Sequence, residues 1–103
     1  MKTITTTVLM RIQGPKQIEA YPVAPGLAVH RTVKIDGFDK TWAVTHTRSG
    51  YSLGEGFKTK AMAAQLANEL AELGNWDRSV EELTDKRFQD RVREIVQRYG
   101  GTV

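Results

Sequence analysis

The chain has 103 residues, with 15 Lys and Arg against 12 Asp and Glu, a formal charge of +3, a hydrophobic share of 40% and no cysteine. That length supports one domain with a single core, and the lack of cysteine excludes disulfides, thiolate metal sites and a cysteine nucleophile. No apolar run approaches the roughly 18 residues of a membrane-spanning helix, and the start MKTITTT carries no apolar signal segment, so the expectation is a cytoplasmic protein without membrane contact.

Residues 3–12, TITTTVLMRI, are rich in β-branched types and predict a strand with Ile4, Val8, Met10 and Ile12 on one face. Gly14-Pro15 breaks that run, and Lys16 to Val23 predicts a second, antiparallel strand whose Pro22 belongs at an edge or a bulge. Two registers are open: a two-residue turn at Gly14-Pro15 sets Tyr21 and Val23 with Met10, and a longer loop sets Ile18 and Ala20 there. Pro22, Pro25 and Gly26 mark a loop before a third strand, Leu27 to Ile35. Its Leu27, Val29, Val33 and Ile35 share one face, which Arg31 interrupts; His30, Thr32 and Lys34 share the other.

Asp36-Gly37-Phe38-Asp39 turns the chain into a fourth strand, where Trp42 and Val44 continue the apolar side and Ala43, Thr45 and Thr47 the polar side. Ser49-Gly50 predicts a two-residue turn that sets Arg48 opposite Tyr51, with a short strand to Leu53 and a corner at Gly54-Glu55-Gly56. Thr59 then caps a helix whose Met62, Leu66, Leu70 and Leu73 recur at helical spacing, with the small Ala63 and Ala67 suited to close packing on the apolar sheet face. Gly74 is placed to end it. Ser79 and Glu82 form a capping box, the five-residue step from Leu83 to Phe88 predicts a break near Thr84 or Asp85, and Phe88, Val92, Ile95, Val96 and Tyr99 form a stripe that runs to Gly100-Gly101. Trp76 is expected to anchor the core between the helices. The fold class is α+β: an antiparallel sheet of four to five strands over residues 1–57, then two helices over residues 58–99, the first packed on one sheet face.

No chemistry-bearing motif stands out. Strand parity points His30 and His46 to opposite faces, so they do not form a metal pair. The lone GxG at Gly54-Glu55-Gly56 lacks the spacing of a phosphate-cradling loop, and the alternating charges of the last helix describe a solvated face. Nothing calls for a cofactor or for catalysis. Charge is uneven, however: residues 1–60 hold nine Lys and Arg against four acids, and residues 61–103 hold six against eight. The sheet half is the basic half, and its polar face offers His30, Thr32, Lys34, Thr45 and Thr47, flanked by Lys40, Arg48, Lys58 and Lys60. Short and basic side chains of this kind can read base edges in a major groove while neighbouring cations take phosphates. Lys58, Thr59 and Lys60 at the helix start could also hold a phosphate. The face lacks the aromatic rings that stacking of single-stranded bases needs.

The segment RTVKIDGFDKTWAVTHTRSGYSLGEGFKTKAMAAQLANEL resembles the arm-type DNA-binding domains at the N-termini of tyrosine-family phage and transposon integrases, through Trp42, Gly56, Phe57, Thr59, Lys60 and Ala63. The resemblance covers about forty residues and implies a three-stranded sheet that enters the major groove, followed by one helix. This chain adds an N-terminal strand pair and a C-terminal helix, and no attached recombinase domain is expected. A looser likeness in strand order is to the Whirly and Pur type of single-strand binders. The expected function is therefore nucleic-acid binding, with duplex DNA as partner, by a protein of a mobile genetic element. The alternatives are an interaction module that binds a host protein through a sheet edge or the acidic helical side, and a homodimer built on the last helix.

Overall fold

The computed structural model describes residues 3–10, 14–34, 37–48, 50, 52–73, 76 and 86–101. Five strands precede two helices: β1 (Ile4–Met10), β2 (Gly14–Ala24), β3 (Leu27–Lys34), β4 (Gly37–His46), β5 (Ser52–Phe57), α1 (Lys60–Ala71) and α2 (Lys86–Arg98). The strands form one antiparallel meander in the order β1-β2-β3-β4-β5. The α+β class and the packing of α1 on the sheet match what the periodicities predict. The capping box at Ser79 and Glu82, the stop at Gly74 and the pairing of Arg48 with Tyr51 involve positions outside the described residues.

The register of the first hairpin is the longer-loop alternative. Met10 pairs with Gly14 across residues 11–13, and Thr6 opposes Ile18 while Ile4 opposes Ala20. β2 then changes partner: residues 14–20 pair with β1, and Tyr21 and Pro22 pair with Val29 and Ala28 of β3. The ladder slips between Pro22 and Ala24, where a proline without an N–H costs no regular bond. Ala24 opposes Leu27 across Pro25-Gly26. Proline presets the first turn position and Gly26, at φ 84°, supplies the left-handed one.

Alternation along β3 and β4 divides their side chains between two layers. Leu27, Val29, Val44 and Phe57 face the helices and are buried with Ala63, Leu66, Ala67 and Leu70 of α1, Trp76, and Val92, Ile95 and Val96 of α2. Complete burial of Leu66 and Leu70 contributes roughly 1.5–3 kcal/mol each. Thr59 caps α1 by accepting the Met62 N–H at 3.1 Å. The α2 end is a Schellman turn: Gly100 at φ 80° lets its N–H reach the Gln97 carbonyl and the Gly101 N–H reach that of Val96. Tyr99 hydrogen-bonds Glu69 of α1, which holds its phenol above the usual tyrosine range.

Two expectations are corrected here. Gly54-Glu55-Gly56 is no corner; it lies within β5, with Gly54 opposite Val44 and Phe57 opposite Trp42. Gly54 is needed for space, since a Cβ there would come 2.9 Å from the Val96 side chain of α2. Nor is the second face of the sheet open: Ala28, His30, Thr32, Ala43 and Thr45 are all buried. Among the described residues, the other buried side chains outside the helix-side cluster are His46 of β4 and Thr6, Val8, Ile18 and Ala20 of the first hairpin. The Lys16 ammonium of β2 lies 5.6 Å from the ring centroid of Phe38 on β4, although β3 separates those strands in the sheet. The second face is thus an inner layer.

Candidate nucleic-acid interface

Burial removes three expected contacts from the polar face. His30 is 3% exposed, Thr32 is 9% and Thr45 is fully covered, so none of them can reach a duplex. Their polar atoms are used internally. His30 Nδ1 lies 2.7 Å from the Arg31 carbonyl, which can only accept, so Nδ1 carries the proton; Nε2 then accepts the Thr45 hydroxyl at 2.6 Å. Thr32 is hydrogen-bonded to Thr41 at 2.9 Å, and Thr41 also reaches Asp39 at 3.1 Å. Thr47 lies in the turn after β4, half-buried, with its N–H on the Gly26 carbonyl, and Arg48 is exposed beside it. The backbone of Lys34 pairs with Gly37 at the far end of β3, and its side chain lies outside the described residues.

Burial pushes the His30 pKa below the ordinary 6.5, with the Arg31 carbonyl bond opposing the shift. The unfolded chain therefore takes up the proton first. This contribution to stability is complete above the unfolded pKa and is lost as pH falls through about 6.5 towards the lower folded value. The urea midpoint is expected to fall between about pH 7.5 and pH 5, and more steeply for wild type than for His30→Gln. Parallel profiles for the two proteins would exonerate His30.

Two cations stand over aromatic rings on the other side of the sheet, by the start of α1. Arg31 projects among the helix-side residues of β3, directly opposite Trp42 of β4, and its guanidinium stands 5.2 Å from the Trp42 ring centroid. The Trp42 and Tyr21 rings are 6.3 Å apart and tilted by 49°. The Lys60 ammonium sits 3.3 Å from the Tyr21 centroid. Each such cation–ring contact contributes about 0.5–1 kcal/mol at an exposed site. Both rings are half-buried and pack against the core on their inner side. Lys40 is exposed, and its carbonyl receives an Arg31 N–H at 3.4 Å. Lys58 is exposed and follows Phe57, the partner of Trp42 in the ladder. Asp39 turns to the opposite face, where it bonds Thr41.

Of the nine expected contact residues, Lys60 stands at this ring pair, Lys40 and Lys58 are exposed on the adjoining backbone of β4 and the segment after β5, and Arg48 and Thr47 lie at the β4–β5 turn. Arg31, Tyr21 and Trp42 complete the group and were missed as site residues. One signal for them was available: Arg31 is the residue that interrupts the apolar face of its strand, and parity sets it against Trp42. Among the described residues no cluster of His, Asp or Glu could hold a metal. No protein-family model matches this chain, and no curated protein or solved structure matches it either.

Proposed function

We propose that this protein binds nucleic acid, duplex DNA in the first instance, through a row of cations: Arg31 and Lys60 on the helix side of its sheet, joined by the exposed Lys40 and Lys58. The observation that carries the reading is the seating of two cations, Arg31 of β3 over Trp42 and Lys60 of α1 over Tyr21, on a pair of neighbouring rings. A positive surface of this kind attracts a polyanion before any specific contact forms. The resemblance to integrase arm domains supports DNA over other polyanions, and a mobile-element origin belongs to the same proposal. The buried polar face takes no part.

Duplex binding is tested by fluorescence anisotropy at about 50 mM salt. With up to four phosphates neutralised, log affinity should fall against log salt with a slope of roughly −3 to −4. Lys40→Ala, Lys58→Ala and Lys60→Ala combined should weaken binding at least ~10-fold and flatten that slope. Absence of any retention at ~50 mM salt would sink the proposal. A protein partner is favoured by a different observation: the outer edge of β1 meets no described strand, so an extended segment could add there.

A further inference from the structure

We infer, resting on the nucleic-acid reading, that this row recognises the phosphodiester backbone and not the bases. Base stacking needs an open ring face. Arg31 stands over Trp42, Lys60 stands over Tyr21, and the inner sides of both rings pack on the core. The rings therefore serve as seats that hold two long side chains at fixed positions. A guanidinium lying over an indole keeps its N–H edge directed outward, as a phosphate oxygen requires.

The chemistry of the row points the same way. Its cations are Arg and Lys, with no Asn, Gln or carboxylate among them to pair with adenine or cytosine edges. From Tyr21 on β2 to the end of β5 the group crosses three strand spacings, about 14 Å, which suits one strand's backbone laid across the sheet. Binding is then sequence-independent and tolerates either duplex or single strands.

The probes are labelled 20-mer duplexes of two unrelated sequences, oligo-dT of equal length, and heparin, a polyanion without bases. The expected result is affinities for the two duplexes within about 3-fold, displacement of both nucleic acids by heparin, and no quenching of Trp42 emission by oligo-dT, read as the difference from Trp42→Phe. Arg31→Gln and Lys60→Gln change surface groups and should each weaken binding several-fold and lower the salt slope by about 1. Trp42→Phe keeps a seat for Arg31 and should weaken binding less than Arg31→Gln does. Strong quenching by oligo-dT, failure of heparin to compete, or a loss above ~10-fold in Trp42→Phe with Arg31→Gln neutral would overturn this inference while leaving nucleic-acid binding standing. If wild type retains none of the nucleic acids, both fall together.

Discussion

Replacing Phe57 with alanine is expected to lower the melting temperature by roughly 15–30 °C, the equivalent of about 3–5 kcal/mol in a domain of this size. Phe57 is fully buried and is the largest side chain with no exposure among the described residues. It pairs with Trp42 at the end of β5, and its ring lies beneath two glycines from different parts of the chain. A Cβ on Gly54 would stand 3.0 Å from that ring, and one on Gly101 would overlap it and approach the Glu55 carbonyl to 2.8 Å. The surrounding main chain is thus fitted to the ring and cannot easily collapse into the space it leaves. The loss is a large part of a total stability of about 5–15 kcal/mol. Gly101→Ala probes the same fit from the opposite direction, by adding a methyl group where none fits, at about 1–3 kcal/mol. Circular dichroism melts measure both; a shift under about 5 °C for Phe57→Ala would show that the β5–α2 junction is dispensable.

Local signals made much of this architecture legible. Thr59 caps α1 where a threonine precedes the first apolar repeat, and Ala63, Leu66, Ala67 and Leu70 form the buried stripe that their spacing implies. Alternation placed His46 with Trp42 and Val44 on the helix side and His30 on the other, as the pairing of β3 with β4 has them. What alternation does not carry is the state of the second face. Ala28, Thr32, Ala43 and Thr45 are small and partly polar, and such residues suit either a solvated face or a closely approached inner layer. The choice depends on what packs across that face, a long-range matter that strand periodicity does not carry. The same limit applies to Gly54. Glycine allows a turn or a close approach equally, and only the passage of Val96 overhead decides between them. The cation–ring row needed the position of Tyr21, which belongs to the strand whose register was open.

Trp76→Ala is expected to cost about 3–5 kcal/mol, and Trp76→Phe far less. Trp76 is 2% exposed and ties two elements together. Its indole N–H donates to the Leu70 carbonyl at 2.5 Å in the last turn of α1, and its own carbonyl accepts the His46 Nε2–H of β4 at 2.6 Å. The His46 and Trp76 rings also meet edge to face, with centroids 6.0 Å apart. Alanine keeps the main-chain carbonyl for His46 but opens a large void. Phenylalanine fills most of that void and gives up only the indole donor. An orphaned buried carbonyl would cost about 1–3 kcal/mol, but Leu70 also receives the Leu73 N–H at 3.0 Å, so the smaller net value of about 0.5–1.5 kcal/mol applies. Urea denaturation resolves the two variants, and equal losses would show that the indole hydrogen bond outweighs the packing. Lys60 lies at the other end of α1, a helix of 12 residues and hence roughly 18 Å long. Trp76→Phe should therefore leave DNA affinity within about 2-fold of wild type, whereas on the proposed function Lys60→Gln lowers affinity several-fold and moves the urea midpoint by no more than the ~0.5–1 kcal/mol of its contact with Tyr21.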